Sequence, residues 1–282
     1  MGRELIVILG PTAVGKTDYA VSLAKKYGTV VVSCDSRQIY REMRIGTAPP
    51  SPEQLAAVRH YFIFSHSVKQ RYSAGQYEIE AMQLLEKLFE KHDTIIMAGG
   101  SGLYADALCY GLDDFPPADT ELREILTRRA MEEGVAALAE ELGKIDPESY
   151  ASIDLSNRQR VIRALEVTMS TGRKFSSFKS APRKKRPFAI KRTALSIPRE
   201  ELYSRINSRV ERMFENGLVE EAGNLLEYRN LPALNTVGYR EVFSYLDGKI
   251  SLDEAVELVK RNTRRFAKRQ ITYFAGIPQL QL

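Results

Sequence analysis

The chain has no tryptophan, three histidines and two cysteines among its 282 residues, so the side chains that most often hold metals or act as nucleophiles are scarce. His60, His66 and His92 show no metal-ligand spacing, and no Ser-His-Asp arrangement can be assembled from them. Cys34 and Cys109 lie far apart among apolar residues, which suits buried free thiols in a reducing compartment better than a disulfide or a zinc site. No apolar run approaches the ~20 residues needed to span a bilayer, so no membrane role is expected. The early run Leu5-Ile-Val-Ile-Leu9 is too short, and too quickly followed by glycine, to be a signal peptide, and a cytoplasmic location is expected. Internal repeats and low-complexity linkers are also missing.

What is present describes an ordinary globular chain: 44% hydrophobic, 27% charged, with a formal net charge of +5. That charge permits an acidic macromolecular partner without requiring one. Two basic strips matter more than the sum. One is Arg173 to Arg192, punctuated by Pro182 and Pro187 and the nearest thing to a flexible loop. The other is the polar face of the last helix, with Lys260, Arg261, Arg264, Arg265, Lys268 and Arg269. Neither shows a local acid to neutralise it, and two such strips on one chain favour a polyanion.

Glu4 to Leu9 reads as a strand, followed by a glycine-bounded loop and a helix from about Lys16 to Tyr27. The β-branched run Thr29 to Ser33 ends at Cys34-Asp35-Ser36-Arg37-Gln38, which places Asp35 at the carboxyl end of a buried strand. In open α/β sheets ligands bind along that edge. Helical spacing over Gln76 to Lys91 leads into a third strand, Thr94 to Ala98, and the loop Gly99-Gly-Ser-Gly102. Beyond Pro116-Pro117 the character changes: Thr120 to Leu142 and Asn157 to Ser170 are helical in pattern, and no strong strand recurs before Ala189 to Ile197. In the last helix Ser251 and Glu254 match a capping box, and Leu252, Val256, Val259, Thr263, Phe266, Gln270 and Tyr273 form a four-three stripe. The expected fold class is α/β: a P-loop core with a parallel sheet flanked by helices, and a mostly helical insertion domain. Residues 1–115 form the first part of the core, 116–190 the insertion and 191–282 the return to the core with C-terminal helices.

Gly10-Pro11-Thr12-Ala13-Val14-Gly15-Lys16-Thr17 satisfies the P-loop pattern between a strand and a helix, as that motif requires. Its backbone N–H groups and the helix N-terminus would cradle phosphate oxygens, Lys16 would supply a mobile charge, and Thr17 could bind phosphate or a magnesium ion. A P-loop NTPase usually has an acid ending a second strand, but Thr94 to Ala98 runs into glycine without one, leaving Asp35 as the acid at such a strand end. From its position Asp35 could complete a magnesium site, act as a general base, or cap a helix starting near Ser36. Arg37 and Gln38 form a donor-rich pair suited to a base or a phosphate. Gln159, Arg160 and Arg163 lie on a helix whose Val161, Ile162 and Leu165 fit an inward face, so the arginines are either phosphate contacts or a solvated face.

Taken together, Gly10-Pro-Thr-Ala-x-Gly-Lys-Thr17, Asp35-Ser-Arg-Gln-x-Tyr40, Ile45-Gly-Thr-Ala48, Gly99-Gly-Ser-Gly-Leu-Tyr104, Gln159-Arg-Val-Ile-Arg-Ala-Leu-Glu166, Val237-Gly-Tyr-Arg-Glu241 and Thr263-Arg-Arg-Phe-Ala-Lys-Arg-Gln270 resemble the bacterial tRNA dimethylallyltransferases. The blocks occur in the family's order and cover nearly the whole chain. The resemblance implies transfer of the five-carbon group of dimethylallyl diphosphate to N6 of the adenosine 3′ of a tRNA anticodon, with pyrophosphate released and Mg2+ present, Thr17 being its candidate ligand. It implies that Gly10 to Thr17, a nucleotide-binding (ATP-type) P-loop in form, holds the prenyl diphosphate. It also makes Asp35 the base, puts Thr17 near the bridging oxygen, and sets Lys16, Arg205 and Arg209 near the diphosphate, with Lys16 and Arg205 in the catalytic set. Contact with the tRNA anticodon stem-loop is implied for Asp35, Ser36, Arg37, Gln38, Ser101, Arg123, Gln159, Arg160, Val161, Ile162 and Arg163. A monomer is the family expectation.

This sequence departs from the family at Val14, commonly serine, at Ser101, often threonine, and at Tyr273, commonly tryptophan. A small-metabolite kinase would also explain the P-loop and Asp35 but leaves the basic strips without a purpose. A non-catalytic nucleic-acid-binding NTPase would explain the strips but not the placement of Asp35.

Overall fold

The computed structural model describes residues 2–113, 115–179 and 183–282. Contacts divide them into two compact units: residues up to 110 together with 185–282, and residues 111–184. The seams reckoned from sequence lay at 115 and 190. Pro182, part of the expected flexible loop, lies outside the described residues.

In the first unit six strands form one sheet, all parallel, in the order β3-β2-β4-β1-β5-β6. The strands are β1 (Glu4–Leu9), β2 (Val31–Ser33), β3 (His60–Tyr61), β4 (Thr94–Ala98), β5 (Ala189–Ser196) and β6 (Gln279–Gln281). Parallel pairing demands long crossovers, which explains why β1 and β4 are nearly continuous apolar runs with helices between strands. The crossovers include α1 (Lys16–Tyr27), α2 (Pro52–Ala57), α3 (Ala74–Leu88) and α4 (Gly102–Tyr110). From β1 the chain moves outward to β2 and β3, returns to β4 beside β1, and then places β5 on the far side of β1. The carboxyl ends of β1 and β4 are therefore the switch point where such sheets bind ligands. β3 and β6 have no sequence signal, since two or three residues cannot establish an alternation.

The second unit contains helices and no strand among its described residues: α5 (Thr120–Glu132), α6 (Val135–Ile145), α7 (Pro147–Ser152) and α8 (Arg158–Thr171). The helical pattern of 120–142 is realised as two helices, separated at Gly134, whose positive φ of +87° suits glycine and stops α5 before α6 begins. Leu126, Leu138, Leu142, Val161, Ile162 and Leu165 fill this unit's own core.

After β5 come α9 (Arg199–Glu215), α10 (Leu218–Asn224), α11 (Tyr239–Leu246) and α12 (Leu252–Phe274). The expected capping box of α12 is present, with Ser51 and Gln54 forming a second one on α2. Its buried stripe differs from the expected one. Ala255, Val259, Ala267, Gln270 and Phe274 face inward, while Leu252, Phe266 and Tyr273 are exposed by 40, 39 and 51%. Alanines permit close helix packing, so the small residues take the seam and the large ones are turned to other surroundings.

Candidate active site

Gly10 opens the P-loop at φ +141°, and a Cβ there would stand 2.8 Å from the Leu195 carbonyl oxygen of β5. Only glycine fits both the conformation and the space. Ala13 at φ +68° continues the curl that turns successive N–H groups inward. Lys16 folds over the loop, its Nζ donating to the carbonyls of Gly10 at 3.0 Å and Pro11 at 2.7 Å. Burial lowers its pKa to about 8, opposed by nearby Asp35 and reinforced by Arg209. Thr17, in the first turn of α1, opens on the same cleft, as do Gly15, Ala13 and Thr12.

Arg209 of α9 reaches the loop, its Nη1 donating to Thr12 Oγ1 at 3.3 Å. Burial, aided by Arg212, pushes its pKa down, and no carboxylate of the described residues pairs with it. Arg205, one turn earlier, is more exposed: its Nη2 pairs with Glu201 at 2.6 Å while its Nη1 donates to the Val14 carbonyl of the P-loop at 3.5 Å, and it does not line the cleft. Four residues from Glu201 on α9, Arg205 meets that carboxylate with one guanidinium nitrogen and the loop with the other. The cleft holds about 1170 Å³ and is lined by Lys16, Arg37, Arg44, Arg209, Arg212, Arg240 and Arg269 against two carboxylates, Asp18 and Asp35.

Asp35 follows β2 as expected. Its Oδ1 accepts from the backbone N–H groups of Arg37 at 2.9 Å and Gln38 at 3.2 Å, capping a turn rather than a helix, and its second oxygen makes no hydrogen bond among the described residues. The capping and functional readings are thus compatible, one for each oxygen. Ser101 Oγ accepts from Ser36 N at 2.9 Å and donates to Ser36 Oγ at 3.0 Å, linking the loops after β2 and β4. Arg37 donates to the Pro232 carbonyl, and Gln38 Nε2 to the carbonyls of Thr47 and Ala48. Those two side chains are therefore partly engaged within the protein.

Several contributors escaped the sequence. Glu221 of α10 accepts from the backbone N–H groups of Arg44, Ile45 and Gly46 and from the Tyr239 hydroxyl, holding the 44–46 loop beside the cleft. No motif could show this, because the partners lie about 175 residues apart. Leu103, Phe266 and Tyr273 give one part of the cleft an apolar, solvent-reaching wall. Gln270 joins two loops. The buried thiols are as expected: burial raises the pKa of both, Cys109 to about 11.

In the second unit Gln159 and Arg160 are exposed on α8, whereas Val161 and Ile162 are 0 and 1% exposed. The side chains of those two belong to the core and cannot touch a large partner, as their periodicity indicated. Arg123 and Arg163 converge on the fully buried Glu166, at 2.6 Å each. The basic strips do have acids, most of them remote in sequence and one, Glu257, a turn away on α12 where no local acid was expected. Arg186 pairs with Glu78, Lys191 with Glu4, Arg192 with Asp106, and Lys260 with Glu211 and Glu257.

No cluster of three or more histidine, cysteine or acidic side chains among the described residues could hold a metal. Magnesium, which keeps waters and takes few protein ligands when phosphates are present, is compatible with one hydroxyl such as that of Thr17. No helix among the described residues is long and apolar enough to cross a membrane.

By fold and site this is a P-loop α/β protein with a cation-lined cleft at the switch point of its sheet. Residues 38–276 match the family model described as IPP transferase. A tRNA dimethylallyltransferase of Cytophaga hutchinsonii is 50% identical over 275 residues, 98% of this chain and 90% of the relative. Among solved structures, a tRNA isopentenylpyrophosphate transferase from Bacillus halodurans is 37% identical with a TM-score of 0.72, covering 99% of this chain and 90% of the other. A eukaryotic dimethylallyltransferase acting on tRNA superposes with a TM-score of 0.80 at 25% identity, covering 99% and 74%. The chain belongs to the IPP transferase family.

Proposed function

We propose that this enzyme transfers the dimethylallyl group of dimethylallyl diphosphate to N6 of the adenosine 3′ of the anticodon in certain tRNAs, releasing pyrophosphate. The observation that carries the reading is the pairing of opposites in one cleft: Lys16 and Arg209 on the P-loop side, and across from them a carboxylate with one oxygen free. No γ-phosphate is cleaved in such a reaction, so an NTPase acid after β4 is unnecessary. The loop has to stabilise a departing pyrophosphate.

An adenine amino group is a weak nucleophile because its lone pair is delocalised into the ring. Asp35, through its unengaged oxygen, would take a proton from N6 as the C–N bond forms and the C–O bond to the diphosphate breaks. Lys16, Arg209 and the P-loop amides would hold the negative charge that grows on the leaving oxygen. Leu103, Phe266 and Tyr273 supply apolar surface for the five-carbon group or an unstacked base. Magnesium, when bound, would share the pyrophosphate charge, with Thr17 its protein ligand. Extruding the base from an anticodon loop costs only about a few kcal/mol. Exposed Gln159 and Arg160, with the remaining donors of Arg123 and Arg163, would contact its backbone. A cytoplasmic monomer is part of the same reading.

Radiolabelled dimethylallyl diphosphate, offered with unmodified tRNA, with a free adenine nucleotide and in parallel with ATP, tests the proposal. Label recovered in the anticodon loop supports it. Label in the free nucleotide alone removes tRNA as partner, and turnover of ATP alone makes the protein a kinase.

A further inference from the structure

Gln270 is 6% exposed, on the inward face of α12, and each end of its amide meets a different ligand-facing loop. Its Oε1 accepts from Thr12 N in the P-loop at 2.8 Å, and its Nε2 donates to the Gly100 carbonyl after β4 at 2.8 Å. The orientation of the amide follows from its partners, since an N–H must face the oxygen and a carbonyl the nitrogen. Gly100 is shaped for this contact: a Cβ there would stand 2.4 Å from Nε2 and 3.8 Å from Lys16 Nζ. The residue after Gly100 is Ser101, whose hydroxyl bonds both the backbone and the side chain of Ser36. One connected path therefore runs from the P-loop through Gln270, Gly100, Ser101 and Ser36 to Asp35.

We propose that Gln270 is a positioning residue that sets the separation between the phosphate loop and the loop carrying Asp35, and so between leaving group and base. The assignment rests on the transferase reading. Neither loop contacts the other by a hydrogen bond of its own that the structure shows, and both belong to the same unit. A buried amide satisfied at both ends is stiff, because losing either bond leaves a backbone group unpaired away from water. In-line transfer depends steeply on such spacing, a displacement of about 1 Å costing on the order of 100-fold.

The test compares wild type with Gln270→Met, which keeps the volume and removes both bonds, and Gln270→Glu, which keeps the acceptor for Thr12 and loses the donor for Gly100. Single-turnover transfer is measured at saturating dimethylallyl diphosphate and tRNA, with affinities read by calorimetry using the non-reactive thiolodiphosphate analogue and by tRNA binding. The saturated rate of Gln270→Met is expected to fall roughly 30- to 100-fold while both affinities change by less than about threefold. Relative to wild type, the rate of Gln270→Glu is expected to recover as pH falls, since a protonated carboxyl restores the donor to Gly100. An unchanged saturated rate overturns the proposal, as does a loss wholly in analogue affinity, which would confine Gln270 to shaping the P-loop. If Gln270→Met does not fold by circular dichroism, the pH profile of Gln270→Glu decides alone, a flat ratio to wild type refuting the role. A wild type that transfers nothing to tRNA would instead refute the transferase reading.

Discussion

Asp35 gives one carboxylate oxygen to the turn that follows β2 and keeps the other free. Substitution by asparagine preserves the turn, because an amide oxygen accepts the same two bonds, but removes the capacity to take a proton. Asp35→Asn is therefore expected to lower the saturated transfer rate by about 10²- to 10⁴-fold with diphosphate affinity nearly unchanged. Equal losses in rate and affinity, measured by single turnover and calorimetry, would move Asp35 to a metal or structural role. Lys16 gives a pH prediction. Burial holds its pKa at about 8, below the ordinary lysine value, so the folded protein carries a protonated Lys16 only below that pH. Diphosphate binding favours the charged form, so affinity should be flat below about pH 8 and weaken as pH rises through it. For the unliganded protein the sign reverses. The unfolded chain binds more protons between about 8 and 10.5, so the Lys16 contribution makes stability rise with pH across that window. Calorimetric titration with the thiolodiphosphate analogue from pH 6.5 to 9.5 checks the first statement, and a constant affinity would refute it.

At the scale of elements, the second unit hangs on a carboxylate at its centre. Glu166 of α8 receives Arg123 of α5 at Oε2, and Arg163 of its own helix and the Asp119 N–H at Oε1. The arginine side chains are 38 and 26% exposed, so they retain donors for a phosphate while the carboxylate itself is sealed. Removing one partner of such a group leaves uncompensated charge. Glu166→Ala is expected to destabilise this unit by about 3–5 kcal/mol, read as a shift in a chemical denaturation midpoint. A loss under about 1 kcal/mol would show that the pairs are no more than surface bridges. Only the i,i+3 pair of Arg163 with Glu166 is local to the helix; the pattern otherwise places Arg160 and Arg163 on one outward face without distinguishing them. The difference is tertiary: α5 packs against α8 and delivers Arg123, Arg163 also meets the Pro116 carbonyl and the Phe115 ring, and Arg160 stays in solvent.

For the whole molecule the question is how much of the net +5 is available to a polyanion. Lys191, Arg186, Arg192 and Lys260 are occupied by acids remote in sequence, whereas Arg160 makes no ion pair among the described residues, only a longer-range attraction to Asp154. Arg160→Ala should leave stability unchanged and reduce the slope of log tRNA affinity against log salt by about 1. An unaltered slope, from filter binding between low and moderate salt, would return Arg160 to a merely solvated face.

The parallel α/β core, the P-loop, Asp35 at a strand end and the helical character of 120–170 were all readable from residue order. Each depends on contacts or periodicities local to the chain: an apolar run long enough to be a strand, glycines at fixed offsets, a cap three residues from its partner. Only the folded chain decided that α12 buries alanines and turns Phe266 and Tyr273 toward the cleft, that Arg209 and Arg205 reach the P-loop at Thr12 and Val14, and that Gln270 ties Thr12 to Gly100. Those outcomes rest on which face of a helix lands against which loop across 170 to 258 residues of sequence. Local periodicity marks a stripe as apolar or polar, but the partner that fills it is chosen by packing, where volume and the satisfaction of every buried donor and acceptor settle the arrangement.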